Sequence, residues 1–424
     1  MNLAISIGVL VLVVAGFMSG KWRLGQVAMA GALLLLVFRV LTIEETFAYF
    51  ADETMAMIAG MFIMSGAILK TNLVPRLRAF MLRRAGTGGV LVWIYLLACM
   101  ILIQFVLPTP LIGMMLPFMA VLDKDSPVQP SQLLIPGTVM AFVMQGMTPM
   151  GIGVGFYGML NGFLETGGAD ERLQLLDYGR VGILPAFVML AYFGLVGWRR
   201  FPRNEADTSS LQAGALSEST LKRWQQYAVY IVFVVVIGIM LLGDLSPIPI
   251  AAMPAIGAVV LLFCEVLDIN DVKNYINLDI CFMIAGIMAI SSAVQKTGAG
   301  DLLADKLLGV LGGNPSGWVV LIVFYMAGAL LSQFMSNIGT MGIFVPIAVA
   351  TALKQGLDPR AFCLAITAGC NAAMLTPAAS PSSAVAFAAG RYRMKDLFRV
   401  NGPAWILYGA CVILMANIVY PISG

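Results

Sequence analysis

Hydrophobic runs long enough to cross a hydrocarbon core, which takes about 20 helical residues, fall near 2–19, 23–41, 54–70, 181–198, 226–243, 248–267, 278–295 and 403–421. Two longer apolar regions, 88–165 and 316–390, are each interrupted twice by clustered Gly, Pro and small polar residues. One stretch, Phe201 to Arg223, carries a high share of Ser, Glu and Asp and reads as an aqueous linker between two halves. The pattern predicts an all-α polytopic membrane protein.

The halves repeat. "MIAGMFIMSGAILKTNL" from 57 matches "MIAGIMAISSAVQKTGA" from 283, and "QFVLPTPLIGMMLP" from 104 matches "QFMSNIGTMGIFVP" from 333. "MTPMGIGVG" from 147 matches "LTPAASPSS" from 375, and "LLDYGRVG" from 175 echoes "MKDLFRVNG" from 394. Lys-Thr, Gln-Phe, Thr-Pro and Asp-x-x-Arg-Val in one order point to a duplication, not to generic likeness between apolar helices.

Each broken region reads as a hairpin that enters and leaves on one side, followed by one interrupted crossing. Each repeat then has five crossings, an odd number, so the second inserts upside down. The sum is about ten crossings, two opposed re-entrant hairpins and two interrupted helices. Charge orients the chain. With the 20–23 loop in the cytoplasm, the cytoplasmic segments hold 18 of the 25 Lys and Arg, while acidic residues split 10 to 12. Lys and Arg set topology and Asp and Glu contribute little, so both termini are expected outside.

Composition agrees with a membrane protein: 60% of residues are hydrophobic and 11% charged, against roughly a quarter charged in soluble domains. A net charge of +3 gives no reason to expect nucleic acid. The six cysteines form no CxxC and read as small buried hydrophobes. Histidine is absent, which removes the commonest general base, metal ligand and proton relay. The run from Leu3 to Met18 lacks a basic start and reads as a retained helix.

Non-helical backbone at membrane depth survives only where protein buries it or water reaches it. Paired interruptions in two repeats are the sequence pointer to a transporter site near the midplane. The breaks are expected at Leu107–Pro110, Gln145–Gly155, Ser336–Thr340 and Met374–Ser383. They contain no Asp, Glu, Lys or Arg, which argues against proton pumping or cation antiport. Hydroxyls, amides and helix N-termini suit a ligand that brings its own negative charge. The candidate anion ligands are Thr109, Thr148, Ser336, Asn337, Thr340, Thr376, Ser380, Pro381, Ser382 and Ser383. Thr148 and Ser332 fit a bond back to the preceding turn equally well. Lys70 and Lys296 read as interfacial anchors, and Asn371 as a ligand or interhelical glue.

On these motifs the chain resembles the divalent anion/sodium symporter family, over essentially its whole length. In that family a Ser-Asn-Thr motif marks each hairpin tip and a Thr-Pro-Pro-Asn-like loop each interrupted helix. Ser336-Asn337-Ile338 matches the second tip with Ile for Thr, and Leu107-Pro108-Thr109 keeps only the Thr of the first. Ser380-Pro381-Ser382-Ser383 stands at the second loop, and Ile152–Gly155 at the first keeps none of its letters. The resemblance implies a homodimeric elevator that moves dicarboxylates, tricarboxylates or sulfate, many with sodium, and no enzyme. It implies scaffold helices at 1–87 and 224–314, and hairpin and transport helices at 88–200 and 315–424, around the 201–223 linker. A single sodium site could use Ser332, Asn337 and backbone near Met335 and Ala379; the first is expected to be lost. Sodium-independent exchange, or an arsenite-type or cation-linked permease, are the alternative readings. An inner-membrane location in a bacterium is expected. An intramembrane hydrolase lacks a base near any nucleophile, and a channel would share the hairpins but show no saturable counterflow.

Overall fold

The computed structural model describes residues 2–83, 88–119, 122, 127–204, 219, 221–242, 245 and 248–422. Most of the expected 201–223 linker lies outside the described residues.

Among the described residues the regular elements are helical. The first half contains α1 (Asn2–Ser19), α2 (Leu24–Val37), α3 (Ile43–Phe47), α4 (Glu53–Leu69), α5 (Leu73–Leu82), α6 (Gly89–Leu102), α7 (Pro108–Met119), α8 (Leu134–Met144), α9 (Ile152–Thr166) and α10 (Asp177–Arg200). The second half contains α11 (Arg223–Leu242), α12 (Met253–Phe263), α13 (Ile269–Tyr275), α14 (Leu278–Lys296), α15 (Ala299–Val310), α16 (Gly317–Leu331), α17 (Asn337–Lys354), α18 (Pro359–Asn371), α19 (Pro381–Ala389) and α20 (Met394–Val419). Each helix has a counterpart ten places on. Among the described residues seven helices, counting α3 and α4 as one run, are long and apolar enough to cross a membrane alone. The shorter apolar ones include α6, α8 and α16, beside the interruptions.

The packing repeats as well. Helix α2 lies along α14, and α12 lies along α4. Both contacts run through glycine. A Cβ on Gly60 would sit 2.5 Å from the Ala255 nitrogen, and one on Gly286 would sit 2.6 Å from the carbonyl carbon of Ala28. Small residues let membrane helices approach backbone to backbone, where packing replaces the hydrophobic drive. Ion pairs swap across the halves in the same way. Lys70, the C-cap of α4, meets Asp271 of α13 at 2.6 Å, and Lys296, ending α14, meets Glu45 of α3 at 2.7 Å. The sequence suggested interfacial anchors, and the structure adds a carboxylate partner for each of these lysines. They tie one half to the other.

Helices α8 and α18 sit innermost. All of α8 is buried, and so is α18 apart from Arg360. A helix apolar all round, as α8 nearly is, belongs in such a place. Helix α10 packs on α20, joining the halves a second time. There Asp177, fully buried, accepts from Arg180 at 3.0 Å and from the Tyr420 hydroxyl. The six cysteines are unpaired, and Cys99, Cys281, Cys363 and Cys370 are buried as expected.

Candidate functional site

The two tips share one backbone. Helix α6 closes with bonds from the N–H groups of Ile103, Gln104, Phe105 and Val106 to Cys99, Ile101, Leu102 and Leu102, at 3.0, 3.2, 3.0 and 3.1 Å. Helix α16 closes through Ser332, Gln333, Phe334 and Met335 to Gly328, Leu330, Leu331 and Leu331, at 3.1, 3.2, 3.0 and 3.1 Å. The next helices begin at Pro108 and Asn337. The breaks thus lie a few residues earlier than the sequence suggested. Pro108 to Pro110 and Asn337 to Thr340 form first turns, where proline's missing N–H costs nothing and its fixed φ fits a helix.

The Gln of each Gln-Phe pair explains why the turns match. Gln104 Nε2 donates to the Met100 and Met144 carbonyls at 2.9 and 3.1 Å, the latter at the end of α8. Gln333 Nε2 donates to the Ala329 and Ala372 carbonyls at 2.8 and 3.0 Å, the latter just past α18. Each Gln so clamps a tip to the broken helix of its own half. Thr148 Oγ1 donates to Gln104 Oε1 at 2.5 Å, and Thr376 Oγ1 to the Gln333 carbonyl at 2.5 Å. Gln333 Oε1 also takes the Leu375 N–H at 2.9 Å. Sequence reasoning offered the two threonines as ligands, but their hydroxyl protons are engaged. It gave the glutamines no role.

Past the shared backbone the tips part. At α17 the first N–H to close is that of Thr340, on the Ser336 carbonyl at 2.9 Å, so those of Asn337, Ile338 and Gly339 have no intrahelical acceptor. Thr340 Oγ1 bonds back to the same carbonyl at 3.0 Å. Ser336 is the N-cap and spends no side-chain bond on the helix. At α7 the first to close is Leu111, on Leu107 at 3.1 Å. Positions 108 to 110 then hold two prolines, and Thr109 supplies the sole N–H.

Asn337 Nδ2 reaches Asn371 Oδ1 at 3.3 Å, while its own Oδ1 is buried without a hydrogen-bond partner. Asn371, fully buried, donates to the Gln145 carbonyl at 3.1 Å and the Tyr178 hydroxyl at 2.9 Å. One residue thus joins the second tip to the break and last helix of the first half. Asn401 was missed altogether. Its Nδ2 donates to the Met374 carbonyl at 2.6 Å, and its buried Oδ1 has no partner. An Asn inside the apolar run of α20 was the available signal.

Ser380 N-caps α19 by accepting from the Ser383 N–H at 3.0 Å, with Pro381 following at the first helical position. Its Oγ also meets Ser382 Oγ at 2.8 Å and Ser383 Oγ at 3.1 Å. Of the cation candidates, Ser332 is buried and bonds back to the Ala329 carbonyl at 3.3 Å, while Met335 and Ala379 are also buried. Helix α19 packs on α7 and α8, and α9 on α17 and α18, so each broken helix lies against the other half's tip region.

Their surroundings differ too. A cavity of about 450 Å³ opens on the first tip, lined by Phe105 to Leu107 and Pro110, by Ser65 of α4, and by Arg23 and Asn274 to Asp279. The second tip is packed instead. A Cβ on Gly342 would lie 2.6 Å from Ile287 of α14, and one on Gly339 3.1 Å from Phe17 of α1, whereas Gly113, the mate of Gly342, has open space.

A helical membrane protein with repeated interruptions around buried amides has the build of a solute transporter. The citrate transporter profile matches residues 14–255 and 245–422. The chain belongs to the citrate transporter family, a family of transporters and not of enzymes. It is 27% identical over 180 residues to an uncharacterized transporter of Synechocystis, covering 42% of this chain and 29% of that one. It is 26% identical over 160 residues to sodium/sulfate cotransporter 1 of Chlamydomonas reinhardtii, covering 37% and 18%. The sodium-dependent low-affinity dicarboxylate transporter 1 of Caenorhabditis elegans is 26% identical over 155 residues, covering 36% and 26%. These matches span less than a third of each relative's length. Among solved structures, the YdaH transporter of Alcanivorax borkumensis shares the fold with a TM-score of 0.65 at 16% identity, covering 90% of this chain and 88% of that one. MtrF of Neisseria gonorrhoeae follows with 0.57 at 14%, covering 92% and 85%.

Proposed function

We propose that the chain is a secondary transporter of small anions, holding its ligand between the two tips and the interrupted helices. The unspent donors at the second tip carry this reading: three helix-start N–H groups and the Ser336 hydroxyl, beside the Asn337 amide. Together they meet an anion at the positive end of a helix dipole. Ser380, Ser382 and Ser383 complete the site, with Thr109 as the first tip's contribution. Relatives named for sulfate and dicarboxylates support small anions as the class.

Sodium is the proposed coupling ion. The buried Asn337 Oδ1 without a partner is an oxygen for a cation, beside Ser332 and the carbonyls near Met335 and Ala379. Among the described residues no cluster of acidic side chains offers a stronger cation site.

The proposed motion is an elevator. The paired helices α2, α4, α12 and α14 form the scaffold, and α6 to α10 with α16 to α20 form the moving body in two inverted repeats. Unequal surroundings of otherwise matching tips support this, since a body displaced to one side of a two-fold scaffold exposes one tip and packs the other. The cavity is lined by Arg23 and Asn274 to Asp279, in loops that the charge bias assigns to the cytoplasm, so this state opens inward. The unit is proposed to be a homodimer in a bacterial inner membrane, with both termini outside.

Counterflow in liposomes tests the reading. Folded Asn337→Ala and Ser380→Ala proteins should lose most exchange of a transported anion; wild-type rates in both would refute the site. A cysteine at Ser209, with the native cysteines replaced, should react with an impermeant reagent only from the cytoplasmic face.

A further inference from the structure

We infer that the outer end of α9 is a latch that holds the moving body in the inward-open position, with Ser291 and Gln295 of α14 as its positioning residues. This rests on the reading that α6 to α10 and α16 to α20 move against the scaffold.

The two halves disagree in length at one place. Between Thr148 and Asp177 the first half has nine more residues than the second has between Thr376 and Asp396. Much of that surplus extends the broken helix, since α9 runs 15 residues and α19 nine. The longer helix reaches the scaffold, packing on α4 and α14, whereas α19 packs on α7 and α8 within the body. Glycine lets α9 lie close. A Cβ on Gly162 would sit 2.2 Å from Met288 Cε, and one on Gly158 would sit 2.0 Å from Thr54 Cγ2.

Two hydrogen bonds close this contact. Thr166 Oγ1 gives its one proton to the Gly162 carbonyl at 2.9 Å, so Ser291 is the donor in the 3.2 Å contact between their hydroxyls. Gln295 Nε2 donates to the carbonyl of Gly167, the C-cap of α9, at 3.2 Å. That carbonyl has no acceptor role within the helix ladder, which makes it available. The charge bias assigns this end of α14 to the outside.

The inner face has no such closure. Ser65, the repeat mate of Ser291, lines the cavity and is buried without a partner. Leu69, the mate of Gln295, also lines it and has no polar group to offer. Matching positions of α14 and α4 are thus bonded to the body on the outer side and idle on the inner one. Outward travel of the body breaks the outer bonds, and the shorter α19 brings no equivalent. The fold therefore rests with its outer face shut. Each neutral bond is worth a factor of roughly 2 to 10 in such an equilibrium.

The test is the rate of alkylation by N-ethylmaleimide at two single-cysteine reporters in the purified full-length chain, with the native cysteines replaced. Leu69→Cys reports the cavity, and Met288→Cys, at a position 5% exposed, reports the surface beneath α9. Ser291→Ala with Gln295→Leu should raise the ratio of the Met288→Cys rate to the Leu69→Cys rate roughly tenfold. Ser291→Thr, which keeps the hydroxyl, should hold that ratio within about twofold of wild type, and Ser65→Ala, with no bond to lose, should not raise it. An unchanged ratio in the double variant overturns the latch, and so do two rates that rise together, as a merely loosened helix would give. Gly342→Ala tests the motion separately, because its Cβ meets Ile287 of α14 at 2.6 Å while the second tip is docked. It should raise the ratio whether or not the latch holds. No rise with Gly342→Ala overturns the moving-body reading itself.

Discussion

The turns at 103–107 and 332–336 have the same backbone bonds to within about 0.1 Å, yet one leads into a helix start rich in donors and the other into two prolines. The helices around them show the opposite behaviour. Where α4 and α14 meet the other half, the glycines and ion pairs are kept in register at an offset of 226. The difference teaches which parts of two matching halves must stay alike. Backbone contacts across the two halves and the clamps on the turns leave no room for divergence. Side chains and N–H groups that face a ligand are free to diverge, because only the ligand has to match them.

The clamps give the largest expected effect. Gln333→Ala strands the Leu375 N–H and takes one of two donors from each of the Ala329 and Ala372 carbonyls, and should cost about 3 kcal/mol, at about 1–3 kcal/mol for an unsatisfied group and about 0.5–1.5 kcal/mol for each other bond lost. Gln104→Ala should cost a similar amount, read as equal falls in apparent melting temperature. A large inequality would break the claim that the turns are built alike.

Glycine substitutions sharpen the contrast one step down. Gly60→Ala and Gly286→Ala each force a Cβ into facing backbone and should each cost about 1–3 kcal/mol. At the tips the pair should split. Gly342→Ala meets Ile287 and should destabilise, whereas Gly113→Ala meets nothing and should gain up to about 1 kcal/mol from helix propensity.

The ion pair of Lys70 and Asp271 gives the smallest effect. Burial alone would raise the Asp271 carboxyl, but the Lys70 ammonium and the Asp268 N–H outweigh it and hold it below the usual range. A carboxyl lowered in the folded chain adds stability that is present above its unfolded value near about 4 and is lost as pH falls below it. Asp271→Asn should cost about 0.5–1 kcal/mol at neutral pH, and the gap to wild type should close in acid.

Much of this fold was legible in the sequence. Lys70-Thr71 and Lys296-Thr297, Gln104-Phe105 and Gln333-Phe334, and the Thr-Pro pairs pointed to matching backbone in the two halves, and hydropathy announced the membrane. Partners were not legible. A sequence presents Gln104 and Lys70 but not the carbonyls of Met100 and Met144 or the carboxylate of Asp271, which lie in other elements. That hid the clamps and the ion pairs of the two lysines. Hydroxyls raised a related problem, since the acceptors of Thr148, Thr340 and Thr376 lie where the sequence does not show them. The first tip's break was displaced because a proline that stops one helix also starts the next.

The account turns on the second tip doing the anion binding, so the most direct measurement compares the two tips in one assay. The stabilising anion would be titrated against wild type, Asn337→Ala and Thr109→Ala, each first checked for folding without ligand. The account predicts that Asn337→Ala weakens half-saturation roughly tenfold or more and that Thr109→Ala changes it by a factor of a few at most. Equal losses at the two positions, or a greater loss at Thr109, would contradict it.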